Sequence, residues 1–298
     1  MTRVSLLGLP TDQHSSFLRG PAKAPPAIRA ALHSPHAHLT ATNGLVLDEG
    51  LLADLGDLSL REDDGDFECM VAAVRDAFAA GPAVVLGGDH AVTYPVLAGI
   101  AAAGIAPPQI VHIDAHSDLY EDFDGDPLSH ASPFARIMER GLAAGIVQLG
   151  IRTPNAHLVA QAKRYGVKVF APHEHAAGLA ALPAGPTYIS IDIDGLDPAY
   201  APGVSHHEPG GLTTREVLDV IWKTPGQVIG GDIVEVNPDR DVNGMTAVVA
   251  AKLLKELVAR IAADSGGPPP NGAGGSSAAR DGWGSQDRAR RPIGDSPP

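Results

Sequence analysis

Six residues at the ends of three apolar runs have the chemistry to hold cations: His90; Asp114, His116 and Asp118; Asp192 and Asp194. The middle group closes Ile110-Val111-His112-Ile113-Asp114-Ala115-His116-Ser117-Asp118, a β-branched run that predicts a buried strand ending in alternating Asp, His and Asp. In extended chain, positions 114, 116 and 118 project to one side, about 6–7 Å apart. Thr187-Tyr188-Ile189-Ser190-Ile191-Asp192-Ile193-Asp194 repeats the pattern, and Ala83-Val84-Val85-Leu86 runs into Gly87-Gly88-Asp89-His90. Carboxylates and imidazoles gathered at one sheet edge need a cation, because unpaired buried charge is expensive. Four carboxylates call for about two divalent ions, with two of the Asp bridging. Oxygen-rich ligation with two imidazoles suits Mn²⁺ ahead of Zn²⁺ on grounds of hardness. Such a pair lowers the pKa of water held between the ions, and the chemistry is metal-assisted hydrolysis.

The remaining elements must bring those three ends together. Val4–Leu9 predicts a first strand, and Pro25–Arg29 opens a short helix with proline in its first turn. Phe67, Met70, Val71, Val74 and Phe78 recur at helical spacing up to Ala80. A helix from about Thr93 to Ala103 precedes the central strand. Strands at Ile146–Ile151 and Val167–Phe170 flank a helix between Asn155 and Tyr165. A capping box at Thr213–Glu216 starts another helix, followed by a strand at Val228–Val236 and a final helix striped by Leu254, Leu257, Val258 and Ile261. Alternating strands and helices imply a three-layer αβα fold around a mostly parallel sheet of about eight strands. That domain occupies 1–263, while the Gly-, Pro- and Ser-rich stretch 264–298 lacks periodicity and reads as a disordered tail.

Net charge of −13 argues against nucleic acid or an anionic membrane as partner and is compatible with a cationic substrate. A single cysteine, Cys69, excludes an intrachain disulfide and a thiolate metal cluster. The N-terminus has no signal-peptide pattern and the chain no long apolar span, which leads us to expect a cytoplasmic enzyme. His112 faces the same side as Asp114 but lies within the strand and reads as a satisfied core histidine. His173 and His175 read as solvated turn residues, and His206 and His207 as loop residues near the site.

The motifs Gly87-Gly88-Asp89-His90, Asp114-Ala115-His116-Ser117-Asp118 and Ser190-Ile191-Asp192-Ile193-Asp194 with Asp197-Pro198 resemble the three signatures of the ureohydrolases, the arginases and agmatinases. The resemblance runs from about Val4 to Ile261 and includes Ser15-Ser16-Phe17 and Glu235-Val236-Asn237-Pro238. Ser129–Glu139, Gly203–Leu212 and Asn237–Asp241 resemble the plant-type arginase branch in particular. The resemblance implies that His90, Asp114, Asp118 and Asp192 surround one manganese, and Asp114, His116, Asp192 and Asp194 the other. It implies that Glu235 holds a substrate guanidinium through charge-assisted hydrogen bonds and that His130 manages protons for the leaving amine. It also implies a homo-oligomer, trimer or hexamer, acting on a small guanidino compound to give urea and an amine.

For the substrate, the loop Glu121-Asp122-Phe123-Asp124-Gly125-Asp126 carries four acids and no Lys or Arg. That composition would repel the α-carboxylate of arginine, and it favours agmatine, giving putrescine and urea. The plant-type motifs instead favour arginine, giving ornithine; guanidinobutyrate is a further option. A metal-dependent deacetylase, resembling a one-metal version of the same fold, is the alternative of a different class, against which the complete six-residue set argues.

Overall fold

The computed structural model describes residues 2–264. Its strands are β1 (Val4–Leu9), β2 (Leu52–Asp57), β3 (Ala83–Gly87), β4 (Gln109–Ile113), β5 (Gly145–Leu149), β6 (Lys168–Phe170), β7 (Thr187–Asp192) and β8 (Val228–Val234). The helices are α1 (Ala24–Leu32), α2 (Asp66–Ala80), α3 (Thr93–Ala102), α4 (Pro133–Glu139), α5 (Ala156–Tyr165), α6 (His175–Ala180), α7 (Thr214–Lys223) and α8 (Met245–Ala263). All eight strands pair in parallel, in the order β2-β1-β3-β8-β7-β4-β5-β6.

Each face of the sheet buries its own core, which is why the central strands read as continuous apolar runs. Val4, Leu6, Val84, Leu86, Val111, Ile113, Ile189 and Ile191 pack with Ile28, Val217 and Leu254 of α1, α7 and α8. On the other face Leu7, Val85, Ile110 and Tyr188 pack with Met70, Val74, Val96, Phe134 and Leu158 of α2 to α5. The expected three layers are therefore present.

The topology explains how distant motifs meet. After β3 the chain skips two positions to form β4, and β7 and β8 later fill the gap. The contiguous strands β3, β8, β7 and β4 thus end side by side, with His90, Glu235, Asp192 and Asp114 at or just beyond their C-termini. Open α/β sheets bind ligands at such reversals of strand order, beyond the carboxyl ends. One step back along the strands lies a row of polar residues in register: Gln148 opposite His112, His112 opposite Ser190, and Ser190 opposite Asp232. All four are fully buried.

Three elements have no counterpart in the expectations from sequence. β2 is an edge strand with Gly56 inside it, and its Asp54 and Asp57 are held by Arg29 of α1, so it lacks an apolar alternation. The short helices α4 and α6 were not read from periodicity because each spans at most two turns. His175 opens α6 with both ring nitrogens shielded from solvent, which differs from the solvated turn expected there. The expected disordered tail, 264–298, lies outside the described residues except for Asp264. That residue accepts the Val228 N–H at 2.7 Å and pairs with Arg260, so it is tied to the folded unit.

Candidate active site

His90 is delivered by a tight turn after β3. Gly88 permits that turn: a Cβ there would lie 1.7 Å from the Thr11 carbonyl oxygen. Asp89 then caps the following turn by accepting the Ala91 N–H at 3.2 Å. Asp118 and Glu235 both adopt left-handed backbone, at φ 48° and 63°. Non-glycine residues held that way cost of order 1–3 kcal/mol and cluster at functional sites.

The six residues approach one another, although Asp192, expected to serve both ions, contacts His90 and joins neither close set of ligand atoms. The His90 Nδ1 lies 3.2 Å from Asp114 Oδ2, 3.1 Å from Asp118 Oδ2 and 3.2 Å from Asp192 Oδ2. The His116 Nδ1 lies 3.3 Å from Asp114 Oδ1 and 3.2 Å from Asp194 Oδ2. Asp114 therefore stands between the two imidazoles with one oxygen toward each. His90, His112, Asp114 and Asp118 offer one close set of ligand atoms, and Asp114, His116 and Asp194 another. Within the first set His112 has no ring nitrogen to spare: Nε2 bonds Asp114 Oδ2 at 2.8 Å and Nδ1 bonds Gln148 Nε2 at 3.0 Å.

The donor set fits a pair of divalent ions. The His90 Nδ1 is buried, has no hydrogen-bond partner and faces three carboxylates. Its Nε2 bonds Ser190 Oγ at 3.0 Å, and Ser190 donates to Asp232 at 2.7 Å, which fixes the ring with Nδ1 toward the cluster. Burial pushes the Asp192 carboxyl well above the usual carboxylate range, and Asp194 and Asp114 push it further. Burial also raises Asp194, with His116 opposing. Despite burial, the hydrogen bond from His112 helps hold Asp114 well below its ordinary value. A cluster in which some carboxyls are driven toward protonation is one that a cation would stabilise.

Glu235 and His130, the two other sequence-chosen residues, meet beside this cluster. Glu235 Oε1 accepts the His90 N–H at 3.0 Å and lies 2.8 Å from His130 Nδ1. The opposite ring nitrogen of His130 lies 2.8 Å from Ser16 Oγ. Burial disfavours charge on His130, but Glu235 beside it raises the pKa to about 9. Asp89, behind the pair, is pushed up to about 7 by burial and by the Glu235 charge.

A cavity of about 200 Å³ opens onto these groups, lined by His116, Asp118, Asp192, Asp194, His130 and Glu235. Ser16, Tyr120, Phe123, Thr153 and His206 also line it; of these the sequence pattern places only His206 near the site. Ser16 and His130 are 114 residues apart, and no spacing rule connects them. His206 packs its ring 5.4 Å from that of His130 and 5.7 Å from that of His116. Burial lowers its pKa, leaving a neutral imidazole at the cavity wall.

The acidic loop has less free charge than its composition implies. Glu121 pairs with Arg164 at 2.8 Å and His157 at 3.4 Å, and Asp126 lies 2.8 Å from His14. Asp122 accepts the Gly125 N–H at 3.2 Å. The loop residue facing the cavity is Phe123, with Tyr120 just before it, and none of the four acids lines it.

No helix among the described residues is long and apolar enough to cross a membrane. A profile of the Arginase family matches residues 2–259. "Arginase 1, mitochondrial" of Oryza sativa subsp. indica is 43% identical over 274 residues, covering 86% of this chain and 81% of that one. Its designation does not fit the cytoplasmic expectation. "Agmatinase, mitochondrial" of Gallus gallus is 34% identical, covering 85% and 79%. The solved arginase from Medicago truncatula superposes with a TM-score of 0.83 at 41% identity, covering 87% of each chain. Signatures, fold and profile agree: the chain belongs to the arginase family of ureohydrolases.

Proposed function

We propose that this protein is an arginase, hydrolysing arginine to ornithine and urea at a pair of manganese ions. The observation that carries the substrate assignment is the greater similarity to a plant arginase, 43% identical, than to an agmatinase, 34% identical. Glu121 is paired with Arg164, Asp126 is bonded to His14, and none of the four acids lines the cavity, which weakens the electrostatic objection to an α-carboxylate. Ser16, Tyr120, Thr153 and His206 on the cavity wall are neutral groups able to hydrogen-bond an amino-acid head group.

In this reading His90, Asp114, Asp118 and Asp192 hold one ion, and Asp114, His116, Asp192 and Asp194 the other. When bound, the ions supply an activated water at neutral pH and Lewis-acid polarisation of the guanidinium. Glu235 anchors the guanidinium; Oε1 already accepts from His90 and His130, which leaves Oε2 for a substrate N–H. His130, held between Glu235 and Ser16, keeps one proton at Nδ1 against Oε1 and, as the imidazolium, gives its second proton, from Nε2, to the departing amine. A homo-oligomer acting on a small molecule, without nucleic acid or membrane, completes the reading.

Urea release by the manganese-loaded protein on a panel of guanidino substrates tests it. The expected result is a higher kcat/KM for arginine than for agmatine or guanidinobutyrate. A preference for agmatine would return the assignment to the agmatinase reading that the loop composition favoured. No urea from any guanidino compound would overturn the activity altogether.

A further inference from the structure

His112 has a position and a hydrogen-bond pattern that a packing role leaves unexplained. Gln148 sets its orientation: Gln148 Nε2 lies 2.7 Å from the Ser117 carbonyl oxygen and 3.0 Å from His112 Nδ1. A carbonyl only accepts, so the amide atom facing it must be the nitrogen and the amide cannot be flipped. The second N–H of that nitrogen then points at His112 Nδ1, which must accept. The imidazole therefore carries its proton on Nε2, where it donates to Asp114 Oδ2 at 2.8 Å.

The strand register builds this chain of bonds. Gln148 on β5 lies directly opposite His112 on β4, so a straight, parallel pairing supplies the contact. His112 and Asp114 share the same face of β4, two residues apart. Phe134 of α4 packs on the His112 ring, with centroids 4.0 Å apart and the planes tilted by 32°. Both His112 and Gln148 are fully buried.

We infer that His112 is a positioning residue: its Nε2–H, oriented by Gln148, fixes Asp114 so that one carboxylate oxygen faces each of the two imidazoles. The inference rests on the proposed reading of Asp114 as a ligand shared by two ions. It does not make His112 a ligand, because both of its ring nitrogens are engaged. Its contribution is to hold the bridging carboxylate in the rotamer that serves both sides. The Asp114 Oδ1 is independently fixed by the His116 N–H at 2.6 Å, so the two oxygens are anchored from opposite directions.

The test compares His112→Phe with His112→Gln in the full chain. Phenylalanine keeps the ring against Phe134 and removes the donor, whereas glutamine can present an N–H toward Asp114. The readouts are manganese affinity by titration and the electron paramagnetic resonance of the loaded protein, which reports coupling between neighbouring ions. His112→Phe is expected to weaken manganese binding by roughly 10–100-fold, as loss of an outer partner of a metal ligand does, and to diminish the coupled signal. His112→Gln is expected to recover affinity and signal toward the unmodified protein. Wild-type affinity and coupling in His112→Phe would overturn the inference while leaving the binuclear reading intact. Equal impairment in both variants would overturn it too, by showing a packing role alone. Failure of the unmodified protein to bind a manganese pair would remove both the reading and the inference built on it.

Discussion

The floor of the site and its rim are built differently. The floor (His90, Asp114, Asp192 and the row of His112, Ser190 and Asp232 beneath them) sits on or directly after four adjacent strands. Its groups are almost fully buried and bonded to one another; the His90 side chain is only 1% exposed. The rim (Ser16, Tyr120, His130, Thr153 and His206) comes from loops far apart in the chain, around a cavity open enough that His116 at its edge is 28% exposed. The floor is thereby suited to fixing charge rigidly, and the rim to admitting and selecting a substrate. Changes to the carboxylates of the floor should abolish metal binding, changes to the row beneath them should weaken it, and changes to the rim should leave it intact.

The largest effect expected is on the floor. Asp114→Ala or Asp192→Ala should release both ions and reduce activity by more than the roughly 10–100-fold typical of an outer partner. Elemental analysis of the purified variants checks this, and full manganese content in either would break the distinction. Next comes His130→Asn, which should lower kcat on the order of 10²-fold or more with a smaller change in KM and unchanged metal content. A wild-type kcat at every pH would assign the proton step to another group. Glu235→Gln keeps the shape and loses the charge. It should weaken the hold on any guanidinium by about 1.5–3 kcal/mol, and depress kcat/KM alike for arginine and agmatine. A loss confined to one substrate would mean that Glu235 reads the head group instead.

The smallest effect is on stability. Burial opposes charge on His130, yet the neighbouring Glu235 lifts its pKa from 6.5 to about 9. A raised value means that the folded state binds the proton more tightly than the unfolded chain. The stabilisation is complete below about pH 6.5 and is lost as pH rises through about 9. The difference in denaturation midpoint between metal-free wild type and metal-free His130→Asn should therefore shrink on passing from mildly acidic to alkaline pH. A constant difference would show that the Glu235–His130 pair gains nothing from that proton.

The same division governs what could be read from the sequence. The charged cluster is legible because His90, Asp114, His116, Asp118, Asp192 and Asp194 follow apolar runs, so a local pattern gives both strand and ligand. His130 and Glu235 were found through the family resemblance, because a loop residue's aim depends on contacts such as Ser16 to His130 that no local pattern encodes. The loop 121–126 shows the cost of counting charges without their partners: Arg164 and His14, distant in sequence, pair with acids that the composition left bare. The edge strand β2 was invisible for a related reason, since its acids answer to Arg29 and its outer face to solvent. The in-register row from Gln148 to Asp232 required the strand order, which a single sequence does not contain.

The floor is expected to hold two ions shared by Asp114. Crystals of the manganese-loaded protein, measured at the manganese absorption edge, test it directly. Two anomalous peaks are expected, one beside His90 Nδ1 and one beside His116 Nδ1, with Asp114 contacting both. A single peak, or two peaks that Asp114 does not join, would contradict it.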